Sequence, residues 1–294
     1  MGNCVLATRN EYITMWFGRK SSGNMEEEKV CKKRGEFRMQ KAIELAVDGL
    51  VLRGMEHVPD QAATRPVPAA ILFHGFTGTH IEAHQIFVKL SRALEAKGIA
   101  AFRFDFAGSG DSDGDFQNMT ATSEIRDAKA ILEWVKADPR ILSDRISLVG
   151  LSMGGYVASI VAGDMPDAVD RLVLWAPAGS LREAMQSAAE EQRVGRDDDV
   201  FDLGGNLVGR ALYEDVLAID PYERARPFQG RVLILHGMED ATVPYEVALK
   251  YQEDVYGERA RLHLLEEADH TFNNQHWESE VIRETVAFLT DVER

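Results

Sequence analysis

A serine flanked by glycines lies at the junction of a predicted strand and a predicted helix. Gly150-Leu151-Ser152-Met153-Gly154 follows the strand-like run 145–149 and precedes the small-residue run 155–159. A sharp turn from strand to helix needs small flanking residues, and it exposes the serine hydroxyl at the helix N-terminus. This spacing predicts that Ser152 is an activated nucleophile.

Two further strand ends carry the partners that such a serine requires. A hydroxyl needs a base to take its proton, and the base needs a carboxylate that fixes its tautomer. Asp240 follows the apolar run 232–235, and His270 follows the run 262–265. We predict that Asp240 orients His270 and that His270 deprotonates Ser152, which is the machinery of acyl transfer.

Other polar residues compete for these roles. Glu239 and Asp269 adjoin the predicted acid and base, and either could orient an imidazole, although neighbouring loop positions point in different directions. His236 also ends a strand, and we assign it a structural hydrogen bond. The remaining histidines have no suitable strand-end position and are predicted to serve surface or core packing: His57, His80, His84, His263 and His276.

An oxyanion requires backbone N–H donors that are in place before the reaction. One donor normally follows the nucleophile, and the other comes from the loop after an earlier strand. We therefore predict an oxyanion hole formed by the N–H groups of Met153 and of Phe76, which lies in His74-Gly75-Phe76-Thr77-Gly78 after the apolar run 69–73.

A second serine, Ser112, also fits the Gly-x-Ser-x-Gly spacing, in Gly110-Asp111-Ser112-Asp113-Gly114. No helix pattern follows it, and its two neighbouring carboxylates would repel an oxyanion. The acidic run is also similar to a calcium loop, but Phe116 and Thr122 replace the glycine and glutamate that such a loop needs. We predict a solvated turn there, with no metal site and no cofactor in the chain.

Short apolar runs alternate with helical patterns from about residue 40, which is typical of an α/β protein with a mostly parallel sheet covered on both faces. Among the helices, one is predicted over 82–97 and one over 244–256. The alternation is lost at about 177–230, which predicts a cap inserted over the strand ends. We expect one domain over 39–294 and a flexible extension over 1–38.

The composition of the chain favours some classes of binding partner and disfavours others. The 294 residues carry a net charge of −15, which disfavours nucleic acid because phosphate binding relies on Lys and Arg. A membrane-spanning run of about 18 apolar residues is absent from the sequence. Cys4 and Cys31 imply no disulfide framework and favour a reducing cytoplasm. We expect a small-molecule ester substrate, and a homodimer is left open.

Taken together, these motifs resemble the α/β-hydrolase superfamily over about residues 41–291, and most closely the bacterial cinnamoyl and feruloyl esterases. The resemblance rests on residues 74–78, 103–112, 150–155 and 268–270. It implies an α/β-hydrolase fold, a serine carboxylesterase acting through an acyl-enzyme, and hydroxycinnamate esters as substrates. In that family the cap contacts the aromatic acid, so Phe201 and Tyr213 are candidate pocket residues. A thioesterase, a monoacylglycerol lipase-like enzyme and a serine peptidase share the triad and remain alternatives.

Overall fold

The structure is a computed structural model that describes residues 40–190 and 200–291. The extension predicted over 1–38 and residues 191–199 of the predicted cap lie outside the described residues. Two units are distinguished along the chain, residues 1–39 and 40–294, and the following description concerns the second.

Ten strands and eight α-helices follow one another along the described residues of this unit. The strands are β1 Lys41–Val47, β2 Leu50–His57, β3 Val67–Phe73, β4 Ala100–Phe104, β5 Ile141–Leu151, β6 Arg171–Trp175, β7 Val200–Leu203, β8 Asn206–Gly209, β9 Arg231–Gly237 and β10 Ala260–Leu265. The helices are α1 Ile86–Glu95, α2 Ala121–Lys136, α3 Met153–Asp164, α4 Leu181–Glu190, α5 Arg210–Ala218, α6 Pro221–Ala225, α7 Glu246–Lys250 and α8 Gln275–Thr290.

Eight strands form one sheet in the order β1-β2-β4-β3-β5-β6-β9-β10. The hairpin β1–β2 is antiparallel, and β2 pairs antiparallel with β4. The other six strands of this sheet are mutually parallel: β4, β3, β5, β6, β9 and β10. The carboxyl ends of parallel strands meet at one edge, where ligands bind in sheets of this type. The loops that carry the predicted nucleophile, acid and base therefore all leave the same edge.

Both faces of the sheet are covered, which explains why the side chains on both faces of β3 are apolar. In β3, Ile71 and Phe73 belong to the larger buried cluster, whereas Ala70 and Leu72 belong to the smaller one. Helices α2 and α3 contribute to the larger cluster, and α1 and α8 contribute to the smaller one. The alternation of side chains along a strand thus divides the core into two layers. The predicted α/β class is confirmed.

Two helices differ from their predicted extents. The helix predicted over 82–97 begins only at Ile86, and residues 83–85 form a 3-10 turn with a kink inside it. The helix predicted over 244–256 is α7 followed by a π-helical segment, Tyr251–Tyr256. The wider π spacing lets Tyr251, Val255 and Tyr256 all point inward, and all three are buried.

The interval between β6 and β9 contains α4, the separate hairpin β7–β8, α5 and α6. Its attachments are polar as well as apolar. Thr122 at the start of α2 donates its hydroxyl to the Asp215 carboxylate of α5 at 2.6 Å. Within the interval, Arg182 of α4 donates to the Leu217 carbonyl of α5. Val208 and Leu212 are buried in the larger cluster. Among the described helices, none is long and apolar enough to cross a membrane.

Candidate active site

Ser152 lies at a strained turn between β5 and α3. Its backbone has φ 56° and ψ −118°, a conformation that side-chain-bearing residues rarely adopt. A Cβ atom on Gly150 would lie 2.2 Å from the Gly154 carbonyl oxygen, and one on Gly154 would lie 2.0 Å from the Phe73 carbonyl oxygen. Only glycine fits at these two positions. Ser152 is partly exposed although Leu151 on one side and Met153 on the other are buried.

The structure brings the three residues of the predicted relay together. The Nε2 atom of His270 lies 2.9 Å from Ser152 Oγ, and its Nδ1 atom lies 2.6 Å from Asp240 Oδ2. A carboxylate can only accept, so Nδ1 carries a proton and Nε2 is free to accept the serine proton. This is the tautomer that a general base needs.

The Asp240 carboxylate is fully buried and receives four N–H donors. Its Oδ1 atom accepts from the N–H groups of Thr242 and Val243, both at 2.8 Å. Its Oδ2 atom accepts from His270 and is 3.2 Å from His236 Nε2. Burial alone would raise the pKa of Asp240, but the hydrogen bonds from His236, His270 and Val243 outweigh it and hold the pKa well below its usual range.

His236 is a part of this site whose place the sequence did not reveal. Its side chain is fully buried at the end of β9, and Nε2 lies 2.9 Å from the Val243 carbonyl as well as near Asp240. Both neighbours accept, so Nε2 carries the proton, and Nδ1 has no hydrogen-bond partner among the described residues. The expected structural hydrogen bond is therefore present, and it supports the acid of the relay. The i, i+4 spacing to Asp240 was the available signal.

The competing carboxylates are engaged elsewhere or point away. Asp269 accepts from the main-chain N–H and the side-chain amide of Asn273, at 2.9 and 3.0 Å. Glu239 is exposed. Within the described part of the chain, only Asp240 contacts the His270 ring with a carboxylate.

The remaining histidines contact acidic groups or the core. His57 is buried in β2 beside Arg103. His263 and His276 both face Glu280 on α8. Two more lie near the oxyanion loop: His80 contacts the Asp105 carboxylate at 2.9 Å, and His84 contacts Glu278.

The loop of residues 74–78 lies directly against the elbow. A Cβ atom on Gly75 would lie 3.1 Å from Ser152 Cβ. The buried His74 ring fixes the loop, because its Nδ1 atom lies 2.9 Å from the Gly75 carbonyl and its Nε2 atom accepts the Phe106 N–H at 3.1 Å. Burial lowers the pKa of His74, so the ring is neutral and donates from Nδ1.

The two predicted oxyanion donors have suitable places. Met153 is the first residue of α3, so its N–H has no partner within that helix. The Phe76 N–H has no acceptor among the described residues, whereas the Gly75 N–H is bound to Glu82. Both donors therefore remain available beside Ser152.

Aromatic side chains surround this loop, but the predicted pocket residues are not seen to contact the relay. The Phe76 ring packs 5.3 Å from the Phe116 ring, and both are partly exposed. Phe201 on β7 is half-buried against the larger core cluster. Tyr213 on α5 is also half-buried, with no ring contact or hydrogen bond among the described residues.

The acidic turn after β4 has structural partners. The Ser112 hydroxyl donates to the Asp105 carbonyl at 2.7 Å and accepts the Arg53 N–H at 2.8 Å. Asp113 pairs with the Arg53 guanidinium at 2.6 Å and accepts the Val51 N–H at 3.1 Å. These contacts attach the turn to β2. Over residues 40–190 and 200–291, no group of His, Cys, Asp or Glu side chains is arranged to hold a metal ion.

Known proteins resemble this chain at the level of the fold and of a broad family. Residues 87–293 match the prolyl oligopeptidase family, Peptidase_S9. The lysophosphatidylserine lipase ABHD12 of Danio rerio is 29% identical over 62% of this chain and 46% of its own length. The palmitoyl-protein thioesterase ABHD10 of Bos taurus is 25% identical over 59% of this chain and 58% of its own length. The chain thus spans about half the length of these curated relatives.

Solved structures of α/β-hydrolases resemble the fold of this chain. Est1E from Butyrivibrio proteoclasticus with bound ferulic acid aligns with a TM-score of 0.75 at 23% identity, covering 84% of this chain and 97% of that chain. Mouse α/β-hydrolase domain-containing protein 10 aligns with a TM-score of 0.70 at 20% identity, covering 86% and 100%. These likenesses confirm the predicted α/β-hydrolase fold. Because the family match covers most of the chain and includes Ser152, Asp240 and His270, the chain belongs to the prolyl oligopeptidase family.

Proposed function

We propose that the protein is a serine carboxylesterase that hydrolyses small carboxylic esters through an acyl-enzyme. The observation that carries the proposal is the hydrogen-bonded series Ser152, His270 and Asp240, with contacts of 2.9 and 2.6 Å. A buried carboxylate, an imidazole in the accepting tautomer and a partly exposed hydroxyl together support nucleophilic attack on an acyl carbon.

In the proposed reaction, His270 accepts the Ser152 proton while Oγ attacks the ester carbonyl. The N–H groups of Phe76 and Met153 donate to the oxyanion, and Asp240 stabilises the imidazolium that forms. His270 then protonates the leaving alcohol as the C–O bond breaks, leaving the acyl group on Ser152. Water deprotonated by His270 attacks the acyl-enzyme, and the carboxylic acid leaves as the serine regains its proton.

We propose hydroxycinnamate esters as the substrate class. Two observations support an apolar, aromatic acyl group: the Phe76 ring of the oxyanion loop packs against the Phe116 ring, and the similar fold of Est1E was solved with ferulic acid bound. We further propose that the interval between β6 and β9 acts as a cap, in which Phe201 and Tyr213 face the acyl group.

A thioesterase is the second candidate, because the palmitoyl-protein thioesterase ABHD10 of Bos taurus is among the relatives. The same relay would attack a thioester. The lysophosphatidylserine lipase ABHD12 and the prolyl oligopeptidase family match leave lipid esters and peptides as further candidate substrates.

Steady-state kinetics on a substrate panel tests the proposal. The panel contains methyl ferulate, p-nitrophenyl butyrate, an acyl-CoA, a monoacylglycerol and an aminoacyl anilide. We expect the highest kcat/KM for methyl ferulate, and no turnover of any ester by a folded Ser152→Ala variant. Preference for acyl-CoA would favour the thioesterase, and preference for the anilide the peptidase. Turnover retained in Ser152→Ala would refute the serine mechanism.

A further inference from the structure

The turn that leads from the oxyanion loop into α1, residues 81–85, has an unusual backbone. Glu82, His84 and Gln85 have φ values of 59°, 41° and 65°, although none of them is glycine or asparagine. Left-handed backbone costs free energy in such residues and persists where the surrounding structure compensates for it. The contacts of the Glu82 and His84 side chains show what this turn accomplishes.

Glu82 reaches back into the oxyanion loop. Its Oε1 atom accepts the Gly75 N–H at 2.6 Å, and its Oε2 atom accepts the Ala83 N–H at 3.2 Å. A Cβ atom on Gly78 would lie 2.6 Å from the same Oε1 atom, so the carboxylate fills the inside of the loop. Glu82 thereby fixes the peptide that immediately precedes the Phe76 N–H.

His84 reaches in the opposite direction, to the loop of the predicted base. Its Nε2 atom lies 2.9 Å from the carbonyl oxygen of Thr271, the residue after His270. Its Nδ1 atom contacts the Glu278 carboxylate at the start of α8. Lys89 of α1 contacts both oxygens of that carboxylate, at 2.8 and 2.7 Å. One strained turn therefore connects the oxyanion loop with the His270 loop.

On the C-terminal side of His270, where Thr271 lies, the loop has little other main-chain support. Before His270, the Glu239 N–H donates to the Ala268 carbonyl at 3.0 Å, whereas the main-chain hydrogen bonds from Ala268 N–H to Leu265 and from Phe272 N–H to Asp269 are both 3.4 Å long. Such distances lie beyond the usual range for N–H···O hydrogen bonds.

Both partners of the His84 ring are acceptors, so the ring satisfies them together only as a doubly protonated imidazolium, beside the Glu278 charge.

We propose that His84 is a positioning residue for the acyl-transfer reaction. By donating to the Thr271 carbonyl it holds the backbone of His270, so that the His270 ring stays within reach of Ser152. The proposal rests on the proposed function, in which His270 is the base. Misplacement of a catalytic group by about 1 Å can reduce the rate by about 100-fold. Loss of the His84–Thr271 hydrogen bond should therefore lower the rate measurably.

The variants His84→Gln and His84→Asn separate a role of the Thr271 contact from a role of the backbone conformation, because the two explanations predict opposite orders of activity. The amide of His84→Gln extends about as far as Nε2 and can still donate to the Thr271 carbonyl, whereas the amide of His84→Asn reaches only toward Glu278. Asparagine tolerates left-handed backbone better than glutamine does. If the Thr271 contact matters, His84→Gln is the more active variant; if only backbone conformation matters, His84→Asn is.

We expect His84→Asn to lower kcat for p-nitrophenyl butyrate about tenfold or more, with KM and the thermal midpoint close to wild type. His84→Gln should retain most of kcat. His276→Asn is the matched control: this exposed histidine lies at the start of α8 and its imidazole contacts only Glu280 among the described side chains, so kcat of this variant should not change. Equal kcat in the two His84 variants, or higher kcat in His84→Asn, would overturn the proposal.

A second readout needs no turnover and separates this proposal from the proposed function. The His270 Nδ1 proton, in its 2.6 Å hydrogen bond to Asp240, should give a downfield proton NMR resonance. We expect His84→Asn to shift or broaden that resonance and His84→Gln to preserve it. An unchanged resonance in both variants contradicts the positioning role even if the esterase is active. An esterase-negative wild type contradicts the proposed function, whatever the His84 variants do to the resonance.

Discussion

Asp240→Asn changes the predicted relay with little change in side-chain volume. The carboxylate accepts four N–H groups, two at each oxygen. The main-chain donors of Thr242 and Val243 cannot turn away, so the amide oxygen must stay at the Oδ1 position. The amide NH2 group then replaces Oδ2 and faces the rings of His270 and His236.

The two rings respond differently to that NH2 group. His270 can accept from it by moving its own proton from Nδ1 to Nε2, and His236 keeps the Val243 carbonyl as its acceptor. Few donors are lost, so we expect a decrease of about 1 kcal/mol in the free energy of unfolding. With a proton on Nε2, however, His270 cannot accept the Ser152 proton. We expect kcat to fall about 10⁴-fold, which corresponds to about 5.4 kcal/mol of transition-state stabilisation.

Steady-state kinetics with p-nitrophenyl butyrate and urea unfolding measure the two effects separately. Glu239→Gln is the matched control, since it makes the same chemical change at the adjacent, exposed position; its kcat should equal that of the wild type. A kcat for Asp240→Asn within tenfold of wild type, or a larger loss in Glu239→Gln, would refute the assignment of Asp240 as the orienting acid.

Three further outcomes follow from particular contacts. Burial, with the nearby Asp127 charge, raises the pKa of Glu124 well above its usual value, so above the unfolded pKa this carboxyl must take up a proton on folding, which destabilises the folded state. Glu124→Gln should therefore raise the urea midpoint at pH 7 and give no gain below about pH 4, the unfolded pKa. Ser112→Ala should cost about 1 kcal/mol in thermal unfolding through its lost hydrogen bonds and leave esterase activity unchanged, and a loss of activity would contradict its structural role. Gly75→Ala places a Cβ atom 3.1 Å from Ser152 Cβ and should lower kcat about tenfold at a nearly unchanged thermal midpoint, whereas wild-type kcat would argue against an oxyanion donor in this loop.

The sheet and the elbow were predictable because their signals are local. Strand β3 is an apolar run that begins after Pro66, and β5 leads directly into a glycine-flanked serine. The spacing of the glycines follows from the steric crowding of the elbow, because a Cβ atom on Gly154 or Gly150 would lie only 2.0 or 2.2 Å from a backbone oxygen. The chain order of serine, aspartate and histidine could be read in the same way, since each follows a strand end.

The supports of the site could not be read in this way. Residues 82–85 contain no glycine or proline, and Ala83 precedes Ile86 and Phe87 by three and four residues, so the pattern favours a helix through them. The left-handed turn observed instead depends on hydrogen bonds to residues 75 and 271, which no local pattern encodes. His236 likewise gains its role only when the turn after β9 brings Asp240 and Val243 onto one nitrogen.

The most direct test of the account is the identity of the nucleophile. The wild-type protein is incubated with a fluorophosphonate, and the adduct is located by peptide mass spectrometry. We expect one adduct per chain, on Ser152, with none formed in Ser152→Ala and labelling that slows strongly in His270→Ala. An adduct on Ser112 or another residue, or an unlabelled Ser152 in folded wild-type protein, would contradict the proposed acyl-enzyme mechanism.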